Sequence, residues 1–473
     1  MNKSSKPLVV ETAYDLSACK AGVVHLGYGA FHRAHQAVYL DDYMEKTGDL
    51  NWGITAVNLR GEESASFSAN TKVGSPYVIK SIAPDGETVL RKVRSHLDFI
   101  DWSVDKAETE ALLSSPDVHM VTITVTESGY YTDPTGALNL DDALMVEEFS
   151  SDTKKSVYAY LSAALTLRMN SINAPITVLC CDNIRRNGKM LKNNLAAYFE
   201  HTQQHELAAW VEKNVTFPCS MVDRITPRST PEMQQSVDAL LGPQPVQSVM
   251  AEAFVQWVLE DNFAGPMPAL DKAGVTVTKD VDPYEEAKIR ILNGGHTCLT
   301  YLAALEGIET FDEAMRVPHL FAHFMSYENE EVLPGLTIEL PFDRNSYLES
   351  ISTRFKNRAI ADTVARICAD GMAKFPIFIR PTLKGCLAQG ILPTHGIRSI
   401  SSWYVFARHV AKGRISFDYY EPSWELLRPM LSEEGREDFV MSPLLWGELP
   451  ESFPHFADAL REDLKEMESK WPV

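Results

Sequence analysis

Val23-Val24-His25-Leu26 is a short apolar run that ends on Gly27-Tyr28-Gly29, and a helical stretch follows to about Lys46 with Phe31, Ala34 and Val38 on one face. Trp52 to Asn58 then reads as a second strand. Strand, glycine turn, helix, strand is the βαβ unit of a doubly wound sheet, and this pattern constrains the fold more than any other. His119 to Thr126 alternates Val121, Ile123 and Val125 with Thr residues, which suits a further strand. Pro175 to Cys181 is almost continuously apolar, as expected of a strand buried on both faces. A helical segment, Lys154 to Met169, lies between these two.

From Pro283 onward helical periodicity takes over: Tyr284 to Leu305, Phe311 to Ser326, Ser346 to Ala373, Ile400 to Ala411 and Pro454 to Trp471. The expected fold class is α/β, a Rossmann-like doubly wound N-terminal domain over 1–281 and a mostly α-helical C-terminal domain over 282–473. Two domains also suit a chain of 473 residues.

Lys plus Arg total 44 against 64 for Asp plus Glu, a formal charge of −20. Such a surface repels phosphate backbones and anionic lipid, so neither nucleic acid nor a membrane is an expected partner. Any anionic cofactor must then be held by local donors that oppose the global field. The seven cysteines are scattered, with no C-x-x-C, which suits reduced thiols in the cytoplasm and supplies no zinc set. No H-E-x-x-H occurs, and no metal is expected. Neither a leader behind Met1 nor an 18-residue apolar span is visible. The expected partner is a small molecule, and the expected assembly a monomer or small homo-oligomer.

Gly27, Gly29, Ala30, Phe31 and His32 form the turn where strand becomes helix. Glycine there lets backbone N–H groups approach a pyrophosphate at the helix N-terminus. His32 replaces the third glycine of the usual fingerprint, and an ordinary strand–helix turn is the plain alternative. An acid is also wanted after the second strand, to bond the adenosine ribose. Glu62 and Glu63 stand near that place, and Arg60 beside them could instead meet a 2′-phosphate. NAD is the favoured cofactor, and a solvated charged loop is the alternative reading of these residues.

The segment Lys288-Ile-Arg-Ile-Leu-Asn293-Gly-Gly-His296 carries the most chemistry. Asp282-Pro283-Tyr284-Glu285 before it reads as a helix start with a capping box. At ~100° per residue, Asn293 lies ~140° and His296 ~80° around an α-helix from Lys288, so the three share one broad face. Gly294-Gly295 admits a ligand or another backbone. A buried lysine can take the proton of an alcohol while amides and imidazole position its oxygen. A surface lysine, a helical asparagine and a satisfied core histidine are the bland alternative. Asn183, in Cys181-Asp182-Asn183, follows the apolar strand where α/β sheets bind ligands, and it suits a donor to a developing alkoxide. A local Asp-Asn turn explains the same residues. Met221 to Pro227, with Asp223, reads as a polar loop near the site.

Six segments resemble the polyol-specific long-chain dehydrogenases: HLGYGAFHRAH (25–35), TVTESGYY (124–131), CDNIRRNG (181–188), MVDRITPR (221–228), KIRILNGGH (288–296) and ADGMAKFP (369–376). That family includes mannitol 2-dehydrogenase, D-arabinitol dehydrogenase, and fructuronate and tagaturonate reductases, and it shares the missing third glycine. The resemblance implies Lys288 as general base, with Asn183 and Asn293 polarising the reacting oxygen. It implies that His296 holds substrate hydroxyls, that Asp223, Arg366 and Lys374 face substrate, and that Glu285 is a proton-relay carboxylate. That last role conflicts with the capping box, and the relay is preferred. An arabinitol or mannitol substrate is expected first and a keto-uronate second. A nucleotide-binding protein that has lost catalysis is the reading from another class.

Overall fold

The computed structural model describes residues 7–71, 76–133 and 135–472. The segment Met1–Lys6, on which the reading of no leader rests, lies outside them. The chain divides into two compact units, Met1–Asp282 and Pro283–Val473.

In chain order, the first unit contributes Ala21–Leu26, Gly53–Asn58, His96–Asp101, Met120–Ile123, Ile176–Cys180 and Val215–Thr216 to one six-stranded sheet. Counted along the chain, their order across it is 3-2-1-4-5-6. Every neighbouring pair is parallel. This is the doubly wound dinucleotide-binding arrangement, with its reversal between the first and fourth strands. Leu26 lies opposite both Val57 and Ile123, and Ile123 lies opposite Cys180. Four strands therefore end on one row, and the residues after them form a common rim. Gly27 begins that rim at φ +100°, and a Cβ there would fall 2.1 Å from the Thr124 carbonyl oxygen, so only glycine fits.

The helix expected to run to Lys46 is in fact two, Ala30–Ala34 and Gln36–Thr47. They part at His35, whose N–H bonds the His32 carbonyl three residues back while its ring is held by the Gln256 carbonyl at 2.8 Å. Two smaller sheets were not legible from periodicity. One joins Leu8–Glu11, Thr88–Val93, Tyr77–Ile82 and Val249–Glu252, and the other joins Ser220–Asp223, Gln256–Glu260 and Thr276–Thr278. The stretch from Met221, read as loop, begins as a buried strand antiparallel to Gln256–Glu260, and Asp223 is its last residue.

The second unit is helical around one core that includes Tyr301, Phe375, Trp403 and Trp446. The helix expected over Ser346 to Ala373 is broken into Arg344–Phe355, Val364–Cys368 and Gly371–Lys374. The first break is where the chain turns aside to pair with another segment: Phe311 N–H bonds the Asp362 carbonyl and Val364 N–H the Glu309 carbonyl, both at 2.9 Å. The Tyr284–Leu305 expectation also changes. That stretch is α over Asp282–Ala287, π over Lys288–Asn293 and α again over Gly294–Leu305. Gly294 N–H reaches back five residues to the Ile289 carbonyl. The ~140° separation of Lys288 and Asn293 held only for an α-helix. In a π turn, residues five apart are the hydrogen-bonded ones and stand nearly one above the other.

Two further π segments, Tyr327–Val332 and Phe375–Ile379, pack on this one. A Cβ on Gly294 would lie 3.2 Å from the Phe378 carbonyl oxygen and 3.3 Å from the Tyr327 hydroxyl. One on Gly295 would lie 2.8 Å from both Glu328 Oε1 and Phe324 Cε2. The glycine pair therefore admits neighbouring protein. Among the described residues, no helix is long and apolar enough to cross a membrane.

Gly295→Ala should lower stability by ~1–3 kcal/mol despite the better helix propensity of alanine, because buried groups must shift to admit the methyl group. Gly29→Ala, with nothing within 4 Å of its Cβ position, should leave stability unchanged within ~0.5 kcal/mol. Denaturant midpoints of the two variants check this, and equal losses would contradict it.

Candidate functional site

Gly29 precedes the helix Ala30–Ala34 in extended conformation, at φ −76° and ψ 169°, and supplies no side-chain cap. The first-turn N–H groups of such a helix have no intrahelical acceptor, and the empty space over Gly29 leaves them approachable. This turn fits a dinucleotide diphosphate. Ala30 and Phe31 are half-buried, and Phe31 stacks on His35 at 5.0 Å.

His32 turns inward. Its ring is fully buried, stacks on His25 at 3.2 Å and places Nε2 3.0 Å from His96 Nε2. His25 in turn bonds the hydroxyls of Thr122 and Thr124 at 2.8 and 3.0 Å. Burial, then the neighbouring imidazoles, holds His25 and His32 far below the ordinary histidine range, and burial with the Arg33 charge takes His96 down to about 3. The residue replacing the third glycine thus packs beneath the turn, and its side chain does not line it.

At the end of the second strand Arg60, not Glu62, reaches across the rim. Its Nη2 donates to the Val125 carbonyl at 3.0 Å, and Nη1 lies 3.6 Å from Glu63. The Arg60 side chain remains 31% exposed. Glu62 is exposed on the short turn Gly61–Glu63. Beyond the fifth strand, Asn183 is exposed and the neighbouring Asp182 carboxylate is bonded into the Val125–Thr126 backbone. Asp182 was missed in the sequence because Asp-Asn reads as a turn. Its place directly after a fully buried strand was the available signal.

In the second unit Lys288, only 8% exposed, opens the π turn and half-buried Asn293 closes it. The buried Arg290 between them pairs with Glu286 at 3.0 Å and donates to Thr382 at 2.7 Å and the Gly335 carbonyl at 3.2 Å. Glu285 is 6% exposed. The Asp282 carboxylate, read as the helix cap, accepts from Arg186 at 2.5 Å, and the Asp282 N–H goes to Asp280 at 3.0 Å.

His296 stacks on Phe355 at 4.0 Å and meets Phe311 edge-on at 4.6 Å. Burial, followed by the charges of Arg366, Arg354 and Lys374, holds its basicity well down, so the ring is neutral. The charges of Arg366 and Lys374 thus act on His296, as does that of Arg354, which sequence reasoning missed. Arg366, 62% exposed, is bidentate on Asp362, and Lys374 donates to the Ile367 carbonyl at 2.7 Å. The helix carrying Lys374 is seated by Glu421, which accepts Met372 N–H at 3.1 Å. Among the described residues, no group of three or more His, Cys, Asp or Glu could hold a metal ion.

The pattern of the mannitol dehydrogenase Rossmann domain matches residues 21–272, and that of the mannitol dehydrogenase C-terminal domain matches 280–468. D-arabinitol 4-dehydrogenase of Ralstonia nicotianae is 35% identical over 401 residues, covering 84% of this chain and 86% of that one. Mannitol 2-dehydrogenase of Cereibacter sphaeroides is 34% identical over 447 residues, 94% of this chain and 93% of its own. The Pseudomonas fluorescens mannitol 2-dehydrogenase ternary complex with NAD and D-mannitol superposes with a TM-score of 0.87 at 31% identity, covering 98% of this chain and 95% of that one.

The buried imidazoles make the fold acid-sensitive. His25, His32, His96, His296 and His323 are all depressed, so below pH ~6.5 the unfolded chain takes up protons that the folded one refuses, and stability is lost as pH falls. Asp182, Glu328, Glu331 and Asp463 are raised and act in the opposite sense, but they are fewer. The thermal midpoint should drop steadily from pH 7 to pH 5, and a flat or rising midpoint over that window would contradict the assignment.

Proposed function

The chain belongs to the mannitol dehydrogenase family, and from that premise we propose that it is a metal-independent, NAD-dependent dehydrogenase of open-chain sugar alcohols, of the D-arabinitol or D-mannitol type. The observation that carries this reading is Lys288, buried at the start of a π turn that closes on Asn293. The domains are read as 1–281 for the nucleotide and 282–473 for the substrate. Gly27, Gly29 and the first turn of Ala30–Ala34 hold the diphosphate, with Arg60 beside them.

Oxidation of a secondary alcohol removes a proton from oxygen and a hydride from carbon. When bound, the nicotinamide supplies the hydride acceptor. Lys288 in its neutral form takes the hydroxyl proton on Nζ, and seclusion from water favours that form. The carboxamides of Asn183 and Asn293 donate to the oxygen as charge develops on it. Glu285, buried one turn before Lys288, passes the proton onward. Neutral His296, with Asp223, Arg366 and Lys374, orients the remaining hydroxyls. The complex of the Pseudomonas fluorescens enzyme with NAD and D-mannitol supports this cofactor and substrate class.

One observation favours a second reading. Three cations, Arg354, Arg366 and Lys374, act on His296, and a carboxylate-bearing keto-uronate would use them. Arabinitol and mannitol with NAD, assayed beside fructuronate with NADH, separate the two, and far more efficient uronate reduction would install the second. Lys288→Ala should lose ~10²–10⁴-fold in kcat while still binding NADH, and small primary amines should restore part of the rate. A Lys288→Ala enzyme within tenfold of the parent would place the base elsewhere. Activity should also survive exhaustive chelation, and loss reversed by zinc would refute metal independence.

A further inference from the structure

The Asp182 carboxylate stands where two of the family segments, 124–131 and 181–188, meet. Oδ2 accepts Val125 N–H at 2.9 Å and the Tyr130 hydroxyl at 2.7 Å, and Oδ1 accepts Thr126 N–H at 3.1 Å. Thr126 sits at φ +67°, a conformation that a β-branched residue adopts only when its surroundings impose it. The bond to Asp182 is such an imposition. The Val125 carbonyl, in the same peptide unit as the Thr126 N–H, accepts Arg60 Nη2 at 3.0 Å. Gly129 closes the segment on that guanidinium, since a Cβ there would lie 3.0 Å from Arg60 Nη2. Asp182 is itself anchored: its carbonyl accepts from Asn187 Nδ2 at 3.1 Å, and the same amide donates to the Ser220 carbonyl at 2.8 Å.

We propose that Asp182 is a positioning residue of the cofactor site, which fixes the Val125–Thr126 backbone and through it holds the Arg60 guanidinium at the rim as a donor to a phosphate of the dinucleotide. This rests on the reading of the first unit as the NAD-binding one. Two carboxylate oxygens are required, because two backbone N–H groups and a hydroxyl converge on them. An asparagine would set an N–H donor against another donor. Burial raises Asp182 to about 6, with Glu127 and Tyr130 facing it from the loop and Cys180 and Cys181 adjoining it on its own strand. Protonation near that pH converts one acceptor into a donor and loosens the backbone.

The test is NADH affinity, read by its fluorescence in freshly mixed full-length protein at pH 8 and 5.5. The proteins compared are the parent, Asp182→Asn, Arg60→Gln and the double variant. Asp182→Asn should weaken binding about tenfold at pH 8, and adding it to Arg60→Gln should cost less than threefold more, since the two act through one contact. The parent should lose affinity on acidification, and Arg60→Gln should lose much less, a comparison that stands even if Asp182→Asn folds poorly. Asp182→Asn within twofold of the parent, or effects that multiply fully, or equal acid losses with and without Arg60, would overturn the proposal while leaving NAD binding intact. A parent protein that binds no NADH would overturn both.

Discussion

Gly295 leaves no room for a side chain and Gly294 leaves little, and the packing around the π turn depends on that. The Phe378 carbonyl, the Tyr327 hydroxyl, Glu328 and the Phe324 ring all occupy space that a methyl group would need. A helix that brings two glycines together gives up ~1 kcal/mol of propensity at each. A π turn adds poorer hydrogen-bond geometry to that cost. Close packing of three π segments around Lys288–Asn293, with Arg290 bonded on three sides, offsets both. The functional consequence is geometric. Widening the turn to i→i+5 turns Asn293 towards the face of Lys288, whereas a regular α-helix would set them ~140° apart. The glycine pair therefore supports the lysine and the carboxamide indirectly, by admitting the neighbours that hold the widened turn.

The first unit meets a different constraint. A chain of net charge −20 must offer positive potential where a dinucleotide docks, and its arginines divide accordingly. Arg91 is cancelled by Asp41 and Asp42 at 2.9 and 2.7 Å. Arg33, buried between the rings of Tyr28 and Tyr77, donates to the Gln247 carbonyl and has no carboxylate at ion-pair distance among the described residues. Among the described residues Arg60 has one carboxylate partner, Glu63 at 3.6 Å, and is tethered to a neutral carbonyl. Arg33 lies behind Tyr28, beside the Gly27–Gly29 turn, and Arg60 reaches across the rim to Val125. Charge that is buried or half-buried acts at lower dielectric than the acidic surface does, so a few such groups can outweigh many exposed carboxylates locally.

Much of this was legible beforehand, and the failures share a cause. The parallel strands were readable because strands buried on both faces are continuous apolar runs, as in Ile176–Cys180. Gly27 was readable as the strand-to-helix turn, and its φ of +100° is one that glycine accepts without strain. The π turn was not legible, since a periodicity argument assumes 3.6 residues per turn and the neighbours packed on Gly294 and Gly295, such as Phe324, Tyr327 and Phe378, are distant in sequence. The Ser220–Asp223 strand was hidden for the same reason, being made by its pairing with Gln256–Glu260. His32 was assigned to the cofactor from its place in a motif, but whether a side chain lines a turn or packs beneath it depends on partners such as His96, 64 residues on. Arg60 and Glu62 were weighed together, and their difference is likewise tertiary, an acceptor on the Val125 carbonyl.

The balance between a polyol and a uronate turns on what the cations near His296 are already doing. Counted as charges, Arg354, Arg366 and Lys374 invite a carboxylate. Two of them are committed, however: Arg366 is bidentate on Asp362, which cancels its charge, and Lys374 donates to the Ile367 carbonyl. A cancelled arginine still presents N–H donors, and these suit the lone pairs of hydroxyl oxygens as well as they suit carboxylates. His296 completes the argument. Held neutral by burial and the cations around it, its ring has one donor and one acceptor nitrogen. A hydroxyl both donates and accepts, so it satisfies either nitrogen, whereas an ionised carboxylate can only accept. A neutral imidazole is thus better matched to a hydroxyl group than to an anion, and this supports the proposed arabinitol or mannitol type over the keto-uronate.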